Sequence, residues 1–157
     1  MKSVYRVLAY LIALEVAIQA ALMVFAVAGL FIWVDKDGGV LDAASVEAIF
    51  DGDVTFTGVA GMMIHGINGM MIIPLLALIF LIFSFFAKVP GGSKWAAFVL
   101  LAVVVQVTLG LSGHSSPYFG MLHGFNALIL FSLALMAGMR VNRVTKATES
   151  SKESELV

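Results

Sequence analysis

The chain has 157 residues, 61% of them hydrophobic and only 12% charged, with a net charge of −1 at pH 7. Soluble domains carry roughly 25% charged residues, so a water-soluble globular enzyme is excluded, and no exposed basic stretch points to nucleic acid. The absence of cysteine removes disulfides, thiolate metal sites, cysteine-ligated iron–sulfur clusters and covalent attachment of a haem through CxxCH.

Four apolar runs follow one another, each long enough to cross a bilayer, which takes roughly 20 residues. The first spans 7–34 and is interrupted only by Glu15 and Gln19. It is too long for a cleavable signal and lacks a small-residue cleavage site, so it reads as a retained helix. A polar loop at 35–53 comes next, with six acidic residues against one lysine, a net of −5. Within it, 41–50 reads as a short surface helix with Asp42 near its start. The second run, 56–87, carries Thr57, His65, Asn68 and Ser84; a tight VPGGS turn between Lys88 and Lys94 closes it. The third, 95–112, holds Gln106 and Thr108, and a short connection with His114 leads to the fourth, 117–139. Pro117 opens that run, a favoured residue in a first helical turn. Residues 1–143 thus form a transmembrane domain and 144–157 a polar tail, with fraying expected after Arg140.

Eight of the nine lysines and arginines, all but Lys36, fall on one side of this topology. The positive-inside rule makes that side cytoplasmic. Both termini are then inside, and the acidic loop and His114 outside.

A seven-residue stretch occurs twice, MIHGING at 63–69 and MLHGFNA at 121–127. A histidine within a membrane span is costly and by default marks function; two in matched contexts suggest one paired site. Both spans descend from outside, and at 1.5 Å per residue the two histidines lie roughly 9–14 Å in. The duplication predicts an all-α, integral membrane four-helix bundle made of two parallel two-helix repeats, related by an axis along the membrane normal. His65 and His123 would then point at one central space. Residues at i±3 and i±4 share a helix face. Around His65 these are Gly61 and Gly69, with Gly66 adjacent; around His123 they are Gly120 and Ala127, with Gly124 adjacent. Small residues there leave room for a flat macrocycle, and neutral imidazole is a standard ligand of haem iron. The second ring nitrogen needs a hydrogen-bond partner, which the sequence leaves unassigned.

The plainer reading is that the glycines permit close helix packing and that His and Asn bond between helices. The duplicated context favours haem ligation over it. Zinc or copper fits poorly, because two imidazoles without Cys, Asp or Glu nearby fall short of the usual ligand count. Asn68 and Asn126 read first as interhelical glue and second as contacts behind the histidines. Met63 and Met121, two residues before each histidine, point away from it. Gln106 lies near the depth of His123 and reads as glue or as a hydrogen-bonder in the site. Its repeat partner is Phe25 if Gly110 is aligned with Gly29, or Gln19 with a gap, and Phe25 suits the depth better. Glu15, one turn from Gln19, reads as a protonated, hydrogen-bonded group or as part of a proton relay. His114 reads as a solvated loop residue, and Trp33, Trp95 and Tyr118 as interfacial belt residues.

Four helices duplicated as two plus two, with a histidine on the second and fourth, resemble one half of the haem A synthase family. The run Gln106-Val-Thr-Leu-Gly110 is similar to that family as well. The His-Gly-x-Asn pattern further resembles small, uncharacterised four-helix bacterial membrane proteins. The resemblance covers most of 7–140 and implies haem b held by His65 and His123 near the outer face of a bacterial cytoplasmic membrane. Haem A synthases have two such halves, and their catalytic half carries an acid one turn before a histidine. Met62 and Gly120 stand there in this chain, so oxidation of a haem methyl is not implied for one copy; a homodimer would restore eight helices. The leading expectation is a membrane cytochrome b that passes single electrons to a membrane redox partner or quinone. The rival is a non-haem accessory or assembly subunit that docks a partner through 35–53. A carrier or proton path through Glu15, Gln19 and the histidines is weaker.

Overall fold

The computed structural model describes residues 1–154, with side chains to Val141; the end of the expected 144–157 tail lies outside the described residues. The described chain is all-α. Helix α1 (Lys2–Lys36) is followed by the short α2 (Ala43–Asp51) and α3 (Val59–Ile67). A π-helical turn (Asn68–Ile72) joins α3 to α4 (Ile73–Ser84), and α5 (Gly92–Ser112) and α6 (Pro117–Ser154) complete the order.

Four segments are long and apolar enough to cross a membrane: Lys2–Lys36, Val59–Ser84, Gly92–Ser112 and Pro117–Val141. In none of them is more than 28% of the most apolar window buried. Large side chains such as Phe31, Phe125 and Leu128 stand exposed. So much outward apolar surface is untenable in water and ordinary in lipid. This is a multi-pass membrane protein.

The span boundaries match the sequence reading closely, with one instructive shift. The second span begins as a helix only at Val59 because Gly58 has φ 106, a left-handed conformation that interrupts the helix and that glycine adopts without a Cβ penalty. That span is also not one regular helix. Pro74 lacks the N–H that would bond the carbonyl of Met70 four residues back, and a proline ring crowds such a carbonyl. The wider turn over Asn68–Ile72 accommodates it, as π turns do inside longer helices. Helix α6 continues past Arg140, where fraying was expected.

The packing separates into two compact units, Met1–Ala17 with Met70–Val157, and Ile18–Gly69. In the first, the start of α1 packs with α4, α5 and α6 around Tyr5, Ile12, Phe80, Val99, Val103 and Leu130. Alanines 9, 77, 96, 134 and 137 are fully buried among them. Lipid is as apolar as leucine, so this core is held by tight packing and interhelical hydrogen bonds rather than by expulsion of water. The VPGGS turn is tied down twice. Tyr5 donates its hydroxyl to the carbonyl of Gly92 at 3.1 Å while its ring lies 4.7 Å from that of Phe80. Arg140 donates from Nη2 to the carbonyl of Pro90 at 3.0 Å and lies 5.5 Å over the Trp95 ring.

In the second unit, α1 and the start of α3 approach to backbone contact. A Cβ on Gly29 would fall 1.5 Å from the carbonyl oxygen of Thr57, and one on Gly61 would fall 2.7 Å from that of Leu22. Above this contact Trp33 stacks on Phe56 at 5.9 Å, and its carbonyl accepts from the N–H groups of Asp37 and Gly39. The expected surface helix in the acidic loop is α2. Asp42 and Ser45 form a reciprocal capping box, with both N–H to side-chain bonds at 2.8 Å. Gly52 at φ 85 ends the helix, and the N–H of Asp53 returns to the carbonyl of Ala48. The hydrogen bond from the Ser45 N–H, then that with its hydroxyl, holds the Asp42 carboxyl below its ordinary range.

Candidate functional site

Each histidine of the repeated stretch lies opposite a glutamine of the preceding span. In the second half, His123 on α6 donates from Nδ1 to the backbone carbonyl of Gln106 on α5 at 3.0 Å. In the first half, His65 on α3 donates from Nδ1 to the backbone carbonyl of Gln19 on α1 at 3.2 Å. A carbonyl oxygen can only accept, so Nδ1 carries a proton in both rings; in a neutral imidazole of this tautomer the lone pair lies on Nε2. This answers the question of the second ring nitrogen. Of the two residues weighed as the counterpart of Gln106, Gln19 makes the matching carbonyl bond, and Phe25 is largely exposed.

The second half adds a side-chain network. Asn126, only 9% exposed, donates from Nδ2 to the carbonyl of Ala102 at 2.9 Å and to Oε1 of Gln106 at 2.7 Å. Those two acceptors fix which end of each amide is nitrogen. Gln106 therefore turns its own Nε2 towards Nε2 of His123, at 3.1 Å, and that ring nitrogen accepts. The network is consistent only with a neutral His123 protonated on Nδ1. Gly110, one turn along α5 from Gln106, gives the ring its place: a Cβ there would sit 3.1 Å from Cε1 and 3.2 Å from Nδ1 of His123.

The first half is built differently around the same carbonyl bond. The side chain of Gln19 is 7% exposed, and neither its Nε2 nor its Oε1 has a hydrogen-bond partner among the described residues. A Cβ on Gly69 would lie 3.6 Å from that Nε2. His65 is followed at once by the π turn, whereas His123 sits within the unbroken α6.

The structure brings together His123, Gln106 and Asn126, and separately His65 and Gln19 with Gly69 beside them. Asn126 bonds from α6 to α5, as the interhelical reading has it, and one of its two acceptors is the amide that faces His123. The expected small-residue room divides. At Gly66, Gly120 and Gly124 an added Cβ would meet nothing within 4 Å among the described residues beyond its chain neighbours and the backbone of its own helix turns. Gly61 is used instead for backbone packing against α1, and Ala127 packs on the core of the first unit. Met63 and Met121 are exposed, turned away from the histidine faces as expected, and His114 is exposed in its loop. Sequence reasoning did not find the carbonyl of Gln19 as the acceptor for His65, nor Gly110, quoted only as an alignment anchor, as the place of the His123 ring.

No protein-family model, curated protein or solved structure matches the chain. Function therefore rests on the donor set. Among the described residues no three or more His, Cys, Asp or Glu gather as a metal cluster. In each unit the bond from Nδ1 to a carbonyl is the outer support that metal-ligating histidines commonly have.

Proposed function

We propose that the chain is a membrane b-type cytochrome in which His65 and His123 are the axial ligands of haem b. The observation that carries this reading is the repeated bond from histidine Nδ1 to a glutamine backbone carbonyl, made on a different helix pair in each half. A purely structural histidine has no need for the same nitrogen to be committed twice in the same way. A haem held by two imidazoles supplies reversible one-electron exchange when bound. The protein's own residues have narrower tasks. The carbonyls of Gln19 and Gln106 hold the rings in one tautomer and raise the basicity of Nε2. The open positions at Gly66, Gly120 and Gly124 leave space beside the ligands, and the apolar spans keep water out. With both Nε2 atoms engaged by one iron, the assigned role is electron transfer with a membrane partner or quinone. Lysine and arginine placement supports a bacterial cytoplasmic membrane with both termini inside.

The test is a dithionite-minus-air difference spectrum of the detergent-purified protein, with haem quantified per chain. Sharp b-type bands at about one haem per chain are expected for an iron with two axial histidines, and His65→Ala or His123→Ala should abolish or strongly alter them. A colourless protein made with ample haem supply sinks the proposal. One observation then favours docking by the acidic loop instead: α2 is capped at both ends yet presents Val46 and Phe50 to the outside among exposed acids.

A further inference from the structure

The two glutamines that lend carbonyls to the histidines hold their side chains in opposite states. The Gln106 amide is fully engaged, accepting from Asn126 at 2.7 Å and facing Nε2 of His123 at 3.1 Å. The Gln19 amide is buried more deeply than that of the half-buried Gln106 and has no hydrogen-bond partner among the described residues. Nε2 of a neutral imidazole offers one lone pair. That lone pair serves either the N–H of Gln106 or an iron, never both.

We propose that the Gln106 amide is a displaceable cap on Nε2 of His123. The inference rests on the haem reading above. His123 enters a ligand position only by exchanging its bond to Gln106, and the carbonyl of Gln106 keeps the ring oriented while the amide leaves. The two functions of Gln106 are separable because one belongs to its backbone and the other to its side chain. Asn126 steers the exchange: by donating to Oε1 it sets the amide so that nitrogen, not oxygen, meets the ring. With Oε1 facing the ring instead, a neutral Nδ1-protonated histidine would have no donor to accept. Gln106 is thus a positioning residue that would tune how readily His123 takes iron.

Removing the amide should favour the iron-bound state. An ordinary hydrogen bond given up on loading corresponds to about two- to tenfold in the haem dissociation constant, so Gln106→Leu should bind haem about two- to tenfold more tightly than the wild type. The cap itself is read without haem, from nitrogen NMR of the 15N-histidine-labelled, haem-free protein in detergent. Wild-type His123 should appear as the Nδ1-protonated tautomer with a hydrogen-bonded Nε2. In Gln106→Leu the Nε2 resonance should move to the position of a free lone pair while Nδ1 stays put. An Nε2 resonance identical in both proteins overturns the cap. A shifted Nε2 with haem affinity unchanged or weakened overturns its role as a competitor of iron. Should the leucine variant not fold, Gln106→Met, straight-chained and without a donor, takes both measurements. A wild-type chain that takes up no haem while its NMR shows the cap refutes the haem reading, and the amide is then only a structural partner of His123.

Discussion

Asn126→Leu tests the network of the second half, because a leucine of similar size removes both donated bonds and adds no charge. The two losses are unequal. The carbonyl of Ala102 keeps its place in the α5 ladder, whereas Oε1 of Gln106 loses its donor at a half-buried position. Interhelical hydrogen bonds in membrane proteins are worth about 0.6 kcal/mol on average and at most about 1.7. Two of them, one leaving an orphaned acceptor, put the destabilisation at about 1–3 kcal/mol. The informative measurement is a double-mutant cycle with Gln106→Leu, read as reversible unfolding in mixed micelles by the fluorescence of Trp95, which lies in the same unit. The coupling should be about 0.6–1.7 kcal/mol, because each single variant removes the same 2.7 Å bond. A coupling indistinguishable from zero would mean that the two amides do not meet, and the assignment of nitrogen and oxygen in both would fall with it.

Other consequences are as direct. Gly29→Ala drives a methyl into the backbone oxygen of Thr57, which no rotamer can relieve. It should destabilise by at least the about 1–3 kcal/mol typical of overpacking, measured by unfolding or by loss of folded yield, and a neutral result refutes the close approach. Gly110→Ala pushes on the His123 ring, which stands 3.1 Å from the added Cβ. The bond from Nδ1 should lengthen, seen as an upfield move of that protonated nitrogen towards its unbonded value, with little change in global stability. The depressed pKa of Asp42 gives the cap of α2 a defined pH window. The folded value lies below the unfolded one, so the stabilisation is complete above the ordinary carboxylate range and is lost as pH falls through the lower, folded value. Protection of the Ser45 amide, its exchange relative to the intrinsic rate at each pH, should fall under acid, and Asp42→Ala should show the low protection at neutral pH already; protection independent of pH would refute this.

The spans were legible because lipid imposes a length and a composition on any helix that crosses it. The α2 helix was legible from Asp42 and the apolar residues after it. The break in the second span was not, although Pro74 stood in plain view, since a proline in a membrane helix is accommodated in several ways. The histidines stood out through their repeated context. Their partners did not, for a physical reason: Nδ1 is held in each half by a backbone carbonyl, and every residue has one. Nothing in the letters Gln19 and Gln106 advertises a carbonyl bond. Aligning glycines misled for a related reason, because Gly29 and Gly110 do different jobs. One admits the oxygen of Thr57 and the other makes room for an imidazole.

The division between backbone and side chain leads to an unequal pair of substitutions. Gln19→Leu and Gln106→Leu both leave the carbonyl that holds a histidine, so neither should release Nδ1. Their side chains differ. Gln106→Leu breaks the bonds to Asn126 and to Nε2 of His123 and should destabilise the haem-free protein by about 1–3 kcal/mol. Gln19→Leu deletes an amide whose two polar atoms have no partner among the described residues. A buried, unpaired polar group costs about 1–3 kcal/mol, so this variant should be as stable as the wild type or more so, by up to that amount. Unfolding of both variants in the same micelles decides the matter. If Gln19→Leu loses more than about 1 kcal/mol, more than a surface-like change accounts for, then its amide is already satisfied in the membrane. The asymmetry between the halves would then disappear, and Gln19 would be a second cap rather than a vacant one.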